Sequence, residues 1–378
     1  MFNKCYWEAK WVFLHIPGQK SSARTEQTRI RGDLMNSYLK IEKKLVPELI
    51  NIAEIRYNIL KAVFNKQPIG RRKLARILDL SIRSVRKQLD FLETKSYINI
   101  TKTGTVMTES GEELLNELDD YMKEIKNITH LENKLKRLME IKKVMIVPVE
   151  RDLNMINKEI GRFTARFLEK AIKDGDIISV TGGSTLAQIA DYMMQEENTK
   201  NVDVLPGRGG LGEKVEIQAN TIAAKMAKKL GGRYKLLHIP DDITKKSLDM
   251  IINEPSIKKT LDLLHQSNIL IHGIGTAEMM SARRNMDKKE IQKMNDRGAV
   301  AEAFGLYFNQ DGQVIYSAAS VGLCMDDLKN IDKVIAVAGG LDKAKAIIAV
   351  VSHNYHDILI TDELTAREII TIKGGESE

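Results

Sequence analysis

Four glycine-bearing loops, each placed directly after a short apolar run, carry the side chains in this sequence best suited to hold an anion. Ile177-Ile178-Ser179-Val180 runs into Thr181-Gly182-Gly183-Ser184-Thr185, and Leu186, Ile189 and Ala190 then mark a helical stretch. Free backbone N–H groups at the start of a helix, joined by the hydroxyls of Ser184 and Thr185, make a ready phosphate site. Arg208 lies among glycines in Pro206-Gly207-Arg208-Gly209-Gly210-Leu211-Gly212, where backbone can approach a ligand closely, and Lys343 follows Gly339-Gly340. Both cations complement such a ligand. The fourth loop is His272-Gly273-Ile274-Gly275 after Ile269-Leu270-Ile271.

Other chemistries lack their residues. No Gly-x-Gly-x-x-Gly with a following acidic residue is present, and no Gly-x-x-x-x-Gly-Lys-Ser/Thr, so dinucleotide and nucleoside-triphosphate binding have no signature and no cofactor is expected. His353-x-x-His356 has metal-like spacing but no Cys or carboxylate cluster beside it, so it reads as a surface loop and no metal site is expected. His272, directly after an apolar run, reads as a buried structural histidine rather than a general base.

These loops need a scaffold that brings strand ends together. Apolar runs at 177–180, 202–205, 269–271, 334–337 and 358–360 alternate with helical stretches, which predicts a parallel sheet with helices on both faces. Ligands of such sheets bind at the carboxyl ends of the strands, where the four loops fall.

The remainder of the chain has a different character. The 378 residues carry 58 Lys and Arg against 51 Asp and Glu, a net charge of +7 that is unevenly spread. Residues 35–111 hold 15 basic and 7 acidic side chains, a net +8, whereas residues 151–378 hold 30 and 32, a net −2. A local basic excess of this kind is the electrostatic footprint of nucleic-acid binding. Within it, Leu74, Ile77 and Leu78 mark one short helix, and Ile82, Val85, Leu89 and Leu92 mark the apolar face of a second, N-capped by Ser81. Two short helices and a tight turn form a helix-turn-helix. Arg83, Ser84, Arg86, Lys87 and Gln88 on the second helix are expected to face outward toward base edges, with Arg71, Arg72 and Lys73 of the first positioning phosphates. Strands around Thr103-Gly104 form the wing, and a helix over Val46 to Phe64 completes the module.

From Glu112 through Lys143, apolar residues from Leu114 to Met139 recur at three- and four-residue steps. They form one long amphipathic helix, or two broken near Asn127 to His130. Its apolar face is covered either by its own chain or by a second copy, and the needs of a DNA-reading module favour pairing. Only Cys5 and Cys324 are present, which excludes a disulfide framework and points to a reducing, cytoplasmic setting. No apolar run approaches the length of a membrane span.

Several stretches together resemble the SorC/DeoR-type transcriptional regulators that carry a sugar-binding domain. The most specific are Pro68-Ile69-Gly70-Arg71-Arg72, Val180-Thr181-Gly182-Gly183, Arg208-Gly209-Gly210-Leu211-Gly212-Glu213, Gln218-Ala219-Asn220-Thr221, Arg283-Arg284-Asn285, Glu302-Ala303-Phe304-Gly305 and Ala336-Val337-Ala338-Gly339-Gly340. The resemblance runs from about residue 35 to 372. It implies a C-terminal Rossmann-like domain of the sugar-phosphate isomerase and deaminase type, and a repressor of glycolytic genes released from operator DNA by fructose-1,6-bisphosphate. Carried over residue by residue, the effector contacts fall on Ser184, Thr185, Arg208, Gln218, Arg283, Glu302 and Lys343, with Gly182 and Gly183 in the same loop. Gln218 and Glu302 suit sugar hydroxyls, and the others suit phosphate.

Two departures from the family pattern matter. Deaminase relatives follow their Gly-Ile-Gly with an acidic residue, a glycine and a histidine that serve catalysis, whereas Gly273-Ile274-Gly275 is followed by Thr276-Ala277-Glu278. Binding without turnover is expected, so no catalytic residue is assigned. The alternatives are a sugar-phosphate isomerase or deaminase with a DNA-binding head, and a regulator of the same family with another sugar ligand. Residues 1–34, with Trp7 and Trp11, match nothing in the family, and translation is expected to begin at Met35. The expected layout is an extension at 1–34, a winged helix-turn-helix at 35–111, a linker helix at 112–145 and an effector domain at 146–378, paired as a homodimer or a dimer of dimers.

Overall fold

A computed structural model describes residues 44–374, apart from 149–152, 196–199, 211–213, 240–249, 285, 319–320 and 353–354. The readings placed on residues 1–34 and on the Met35 start lie outside the described residues.

Helix α1 (Pro47–Lys66) opens with proline at its first turn, where the missing N–H costs nothing. Next come α2 (Arg71–Ile77) and α3 (Ile82–Thr94), the latter capped by the Ser81 hydroxyl, which accepts from the Ser84 N–H at 3.1 Å. Strands β1 (Ile98–Ile100) and β2 (Thr105–Met107) pair antiparallel as the wing, and Ile69 bridges Thr105 to tie the wing to the start of α2. Leu60, Leu74, Val85 and Leu89, all fully buried, form the centre of this core.

The stretch after the wing breaks in two. Helix α4 (Glu109–Ile125) ends at Lys126, Asn127 takes the left-handed conformation at φ 53°, and α5 (Ile128–Leu138) begins. Leu115 and Met122 of α4 pack into the core of the winged helix-turn-helix, whereas Leu131 and Leu135 of α5 pack into the second domain. Of the two readings of the stretch over 112–145, the structure shows two helices, broken at Asn127, that serve different cores. The apolar residues Leu115, Met122, Leu131 and Leu135 are covered by their own chain.

The second domain is a seven-stranded, wholly parallel sheet in the order β3-β13-β12-β7-β4-β5-β6. It is built from β3 (Lys143–Val147), α6 (Leu153–Ala171), β4 (Ile177–Val180), α7 (Ser184–Tyr192), β5 (Asp203–Pro206), α8 (Ala219–Leu230), β6 (Arg233–Tyr234), α9 (Pro255–Leu264) and β7 (Ile269–Gly273). After an inserted sheet come β12 (Lys333–Val337), α12 (Ala344–Val351), β13 (Ile358–Asp362) and α13 (Glu363–Gly374). Helices α6, α7 and α8 cover one face; α5, α12 and α13 cover the other. Strands buried on both sides must be apolar throughout, hence Ile358-Leu359-Ile360.

The insertion was not foreseen. It contains β8 (Gly275–Thr276), α10 (Ala277–Arg283), α11 (Lys288–Asp296), β9 (Ala299–Ala303), β10 (Leu306–Asn309) and β11 (Val314–Ser317), with the strands in an antiparallel sheet of order β11-β10-β9-β8. Its small inward residues Ala301 and Ala303 lie against the main core. The polar Glu302 between them breaks the apolar run that would have marked a strand.

Candidate functional site

Strand order reverses between β4 and β7, which lie side by side although β5 and β6 intervene in the chain. Loops leaving two such strands diverge and open a crevice at their carboxyl ends. Gly182, Gly183, Ser184, Thr185, Arg208, Gln218, Arg283, Glu302 and Lys343 all line that one cleft, together with Thr181, Gly273, Met279 and Phe304.

The loop after β4 forms its floor. Thr181 is buried, and its Oγ1 accepts from the Gly273 N–H at 3.2 Å, which fixes the end of β4 to the end of β7. Gly183 sits at φ 127°, a region closed to residues with a Cβ, and its N–H donates to Ile217 at 2.8 Å. That turn aims the first N–H groups of α7 into the cleft, and no side chain caps them. Thr185 donates its Oγ1 hydrogen to Asn157 Oδ1 at 3.0 Å.

Positive charge enters from three other elements. Arg208 is held from behind, where the Gly209 N–H donates to Val321 and the Leu323 N–H to Gly207, both at 2.9 Å. Its Nη1 meets Glu302 Oε1 at 3.2 Å, and the same oxygen accepts from Arg284 Nη2 at 3.2 Å and from the Gly305 N–H at 2.7 Å. Glu302 lies two residues before a tight hairpin in which Phe304 and Gly305 have φ of 56° and 78° and Ala303 pairs with Leu306. Arg284 is a site residue that was not singled out as a contact, although its position next to Arg283 was the available signal. Lys343 closes the far wall after Gly340, whose N–H donates to the buried Asp362 at 2.8 Å. Burial lowers the Lys343 ammonium below the ordinary lysine range, with Arg283 adding to the effect and Asp342 and Asp362 opposing it. Among the described residues no carboxylate is within ion-pair distance of Lys343, although Asp342 and Asp362 act on it from farther away.

His272 lies at the end of β7 with no exposed surface. Its Nδ1–H donates to the Gly273 carbonyl at 3.1 Å, Nε2 has no protein partner, and its ring packs against Phe304 at 4.5 Å and His356 at 4.9 Å. The surface-loop reading of His356 is corrected: it is 4% exposed, because the chain turns inward there to start β13. His353 lies outside the described residues, as do Leu211, Gly212 and Asn285. Burial drives the His272 imidazole down to about 4, against a smaller opposing effect of the Gly273 hydrogen bond. The unfolded chain then takes up this proton near pH 6.5 and the folded chain only near 4, so stability falls as pH drops through that window. Loss of about 3 kcal/mol between pH 7 and 4 is expected from this group. Comparing urea unfolding of the wild type and His272→Leu across that range checks it; an identical pH slope would remove His272 as the source.

On the DNA-binding module, Arg71, Arg72 and Lys73 are exposed at the start of α2. Arg83, Ser84, Arg86 and Lys87 share one face of α3 with Ser81 and Asp90. Gln88 is corrected: it is 6% exposed and its Oε1 accepts from Arg56 Nε at 2.9 Å, while the Arg56 guanidinium lies 3.4 Å over the Phe91 ring. Three residues after Val85 and four before Leu92, Gln88 falls on the inward face. Ile82, assigned to the apolar face, is instead 53% exposed, because the first turn of α3 projects past the core.

Family models match both halves of the chain: a sugar-binding domain over residues 123–371 and the CggR N-terminal DNA-binding domain over residues 52–122. The central glycolytic genes regulator of Priestia megaterium is 41% identical over 338 residues, covering 89% of this chain and 99% of that protein. That of Bacillus subtilis is 39% identical over 337 residues, with the same coverage. Among solved structures, a SorC-family transcriptional regulator from Enterococcus faecalis is 36% identical with a TM-score of 0.60, covering 64% of this chain and 99% of its own. The full-length sorbitol operon regulator SorC of Klebsiella pneumoniae shares the fold at 16% identity and a TM-score of 0.62, over 84% of this chain and 98% of its own.

Proposed function

The chain belongs to the SorC-type family of sugar-binding transcriptional regulators, and from that premise we propose that it represses central glycolytic genes and leaves its operator when fructose-1,6-bisphosphate fills the cleft. The observation that carries the reading is the distribution of charge in the cleft. The uncapped N-terminus of α7 with Ser184 and Thr185 lines the cleft, and Arg283 and the half-buried Lys343, which come from other elements, line it too. Two anion-binding elements suit a sugar carrying two phosphates. Arg208, already paired with Glu302, and Gln218 are left to orient hydroxyls and the nearer phosphate.

The basic face of α3 supplies the DNA contact, with Arg83, Ser84, Arg86 and Lys87 entering the major groove and Arg71, Arg72 and Lys73 on phosphates. Subunits pair as a homodimer or a dimer of dimers, and the protein works in the cytoplasm. Among the described residues no helix is long and apolar enough to cross a membrane.

A thermal-shift panel of glycolytic sugar phosphates, followed by operator gel shifts, tests the reading. Fructose-1,6-bisphosphate should raise the melting temperature and release the operator, because a ligand at free concentration L that binds only the folded state stabilises it by RT ln(1 + L/Kd). Arg283→Ala should keep operator affinity and lose release. Stabilisation by a monophosphate alone, or release that survives in Arg283→Ala, would sink the assignment.

A further inference from the structure

The two domains meet across a polar, buried seam. Lys61 and Asn65 of α1 and Asp119 of α4 face Glu159, Arg162 and Arg166 of α6. Lys61 Nζ is 3.1 Å from Glu159 Oε2, and Arg162 Nη2 is 2.8 Å from Asp119 Oδ2. Asn65 Nδ2 donates to Glu159 Oε1 at 2.5 Å, and Lys158 Nζ donates to the Asn65 carbonyl at 3.1 Å. Burial disfavours the Glu159 carboxylate, yet Lys61 and Arg162 outweigh it and hold Glu159 below the ordinary range.

Two lines run from this seam to the cleft. Helix α7 begins at Ser184 in the cleft and ends at Tyr192, whose hydroxyl donates to Asn65 Oδ1 at 2.9 Å and whose ring stacks on Phe64 at 5.9 Å. On α6, Asn157 accepts from Thr185, and Lys158 and Glu159, which follow it, contact α1. Helices α6 and α7 are packed too closely to slide independently: a Cβ on Gly161 would lie 2.6 Å from Gln188 Cβ. A displacement of the loop at 183–185 therefore moves a nine-residue helix as a unit and arrives at α1.

We propose that Asn157 and Tyr192 are positioning residues that couple the cleft to the DNA-binding domain, so that ligand in the cleft changes how α1 is held on the sensor. This rests on the reading of the cleft as the effector site. Linkage requires the effect to run both ways: ligand weakens DNA binding, and DNA binding is felt at the loop.

The test uses the full chain, an operator duplex selected from a random pool, and Tyr192→Phe and Asn157→Ala. In both variants operator affinity without sugar, and in Tyr192→Phe also fructose-1,6-bisphosphate affinity without DNA, should stay within about threefold of wild type, while the factor by which saturating sugar weakens operator binding falls at least about fivefold. Independently of any sugar, operator binding should alter hydrogen exchange at residues 182–186 in the wild type and leave it unchanged in Tyr192→Phe. A coupling factor unchanged in both variants overturns the proposal, as does operator affinity that drops with the coupling in both, which marks a merely structural contact. Should fructose-1,6-bisphosphate fail to release the wild type, the effector assignment falls, and the exchange experiment alone decides the coupling: no response in the wild type, or a response retained in Tyr192→Phe, overturns it.

Discussion

Replacing Asp119 with alanine should destabilise the folded chain by about 3 to 5 kcal/mol, the range for removing one partner of a buried ion pair. Asp119 is 4% exposed and its two oxygens accept from Tyr57, Arg162 and Arg166 at 2.8 to 3.1 Å. Without it the Arg162 guanidinium keeps Glu159 and Asn116 as partners, but Glu159 is already shared with Lys61. The buried Tyr57 hydroxyl loses its acceptor at the same time, a further desolvation cost. Urea unfolding followed by circular dichroism measures the loss. Asp119→Asn, which keeps an acceptor for Tyr57 and removes only the charge, should fall between. A loss under about 1 kcal/mol for Asp119→Ala would show that solvent or a rearranged Glu159 satisfies Arg162.

Arg208→Ala should weaken fructose-1,6-bisphosphate binding by about 100-fold, equivalent to about 3 kcal/mol. Two effects add. A charge-assisted donor to the ligand is lost, worth about 1.5 to 3 kcal/mol. In addition, Glu302, 4% exposed and lining the same cleft, keeps Arg284 but loses one of the two guanidiniums that pair with it. Its carboxylate then repels the incoming phosphate. Adding Glu302→Gln to Arg208→Ala should therefore recover part of the affinity, which a simple loss of one hydrogen bond would not allow. Titration calorimetry on the two variants decides it; equal affinities in both would mean that Glu302 exerts no field on the ligand.

Different physical signals account for what was and was not legible beforehand. The parallel sheet was visible because strands covered on both faces must be apolar along their whole length, so runs such as Ile269-Leu270-Ile271 stand out. The wing and the two short helices were visible through caps and periodicity, which are local. Strand β9 of the inserted antiparallel sheet was not, because Ala299–Ala303 buries alanines and a charged Glu302 rather than large apolar side chains. Gln88 was misplaced because a polar residue was assumed to face solvent, whereas Arg56 and Phe91 build it a buried partner. The glycine-bearing loops at the strand ends were legible from their residues, and Arg284 was signalled only by its neighbour Arg283, but Asn157, which holds Thr185, carries no local pattern at all.

By itself the sequence determined the division into a basic helical module and a near-neutral α/β domain, the glycine-bearing loops after its strands, and the residue types they offer. Those properties depend on composition, on periodicity and on bonds within a few residues. Tertiary structure alone decided that residues from Gly182 to Lys343 converge on one crevice, that Glu302 pairs with two guanidiniums there, and that the two linker helices pack into different cores of their own chain. It also decided that Tyr192, 127 residues from Asn65 in the chain, bonds to it across the domain seam. Strand order and helix packing set such meetings, because they follow from burying every apolar face of the chain at once, a condition no short stretch of sequence contains.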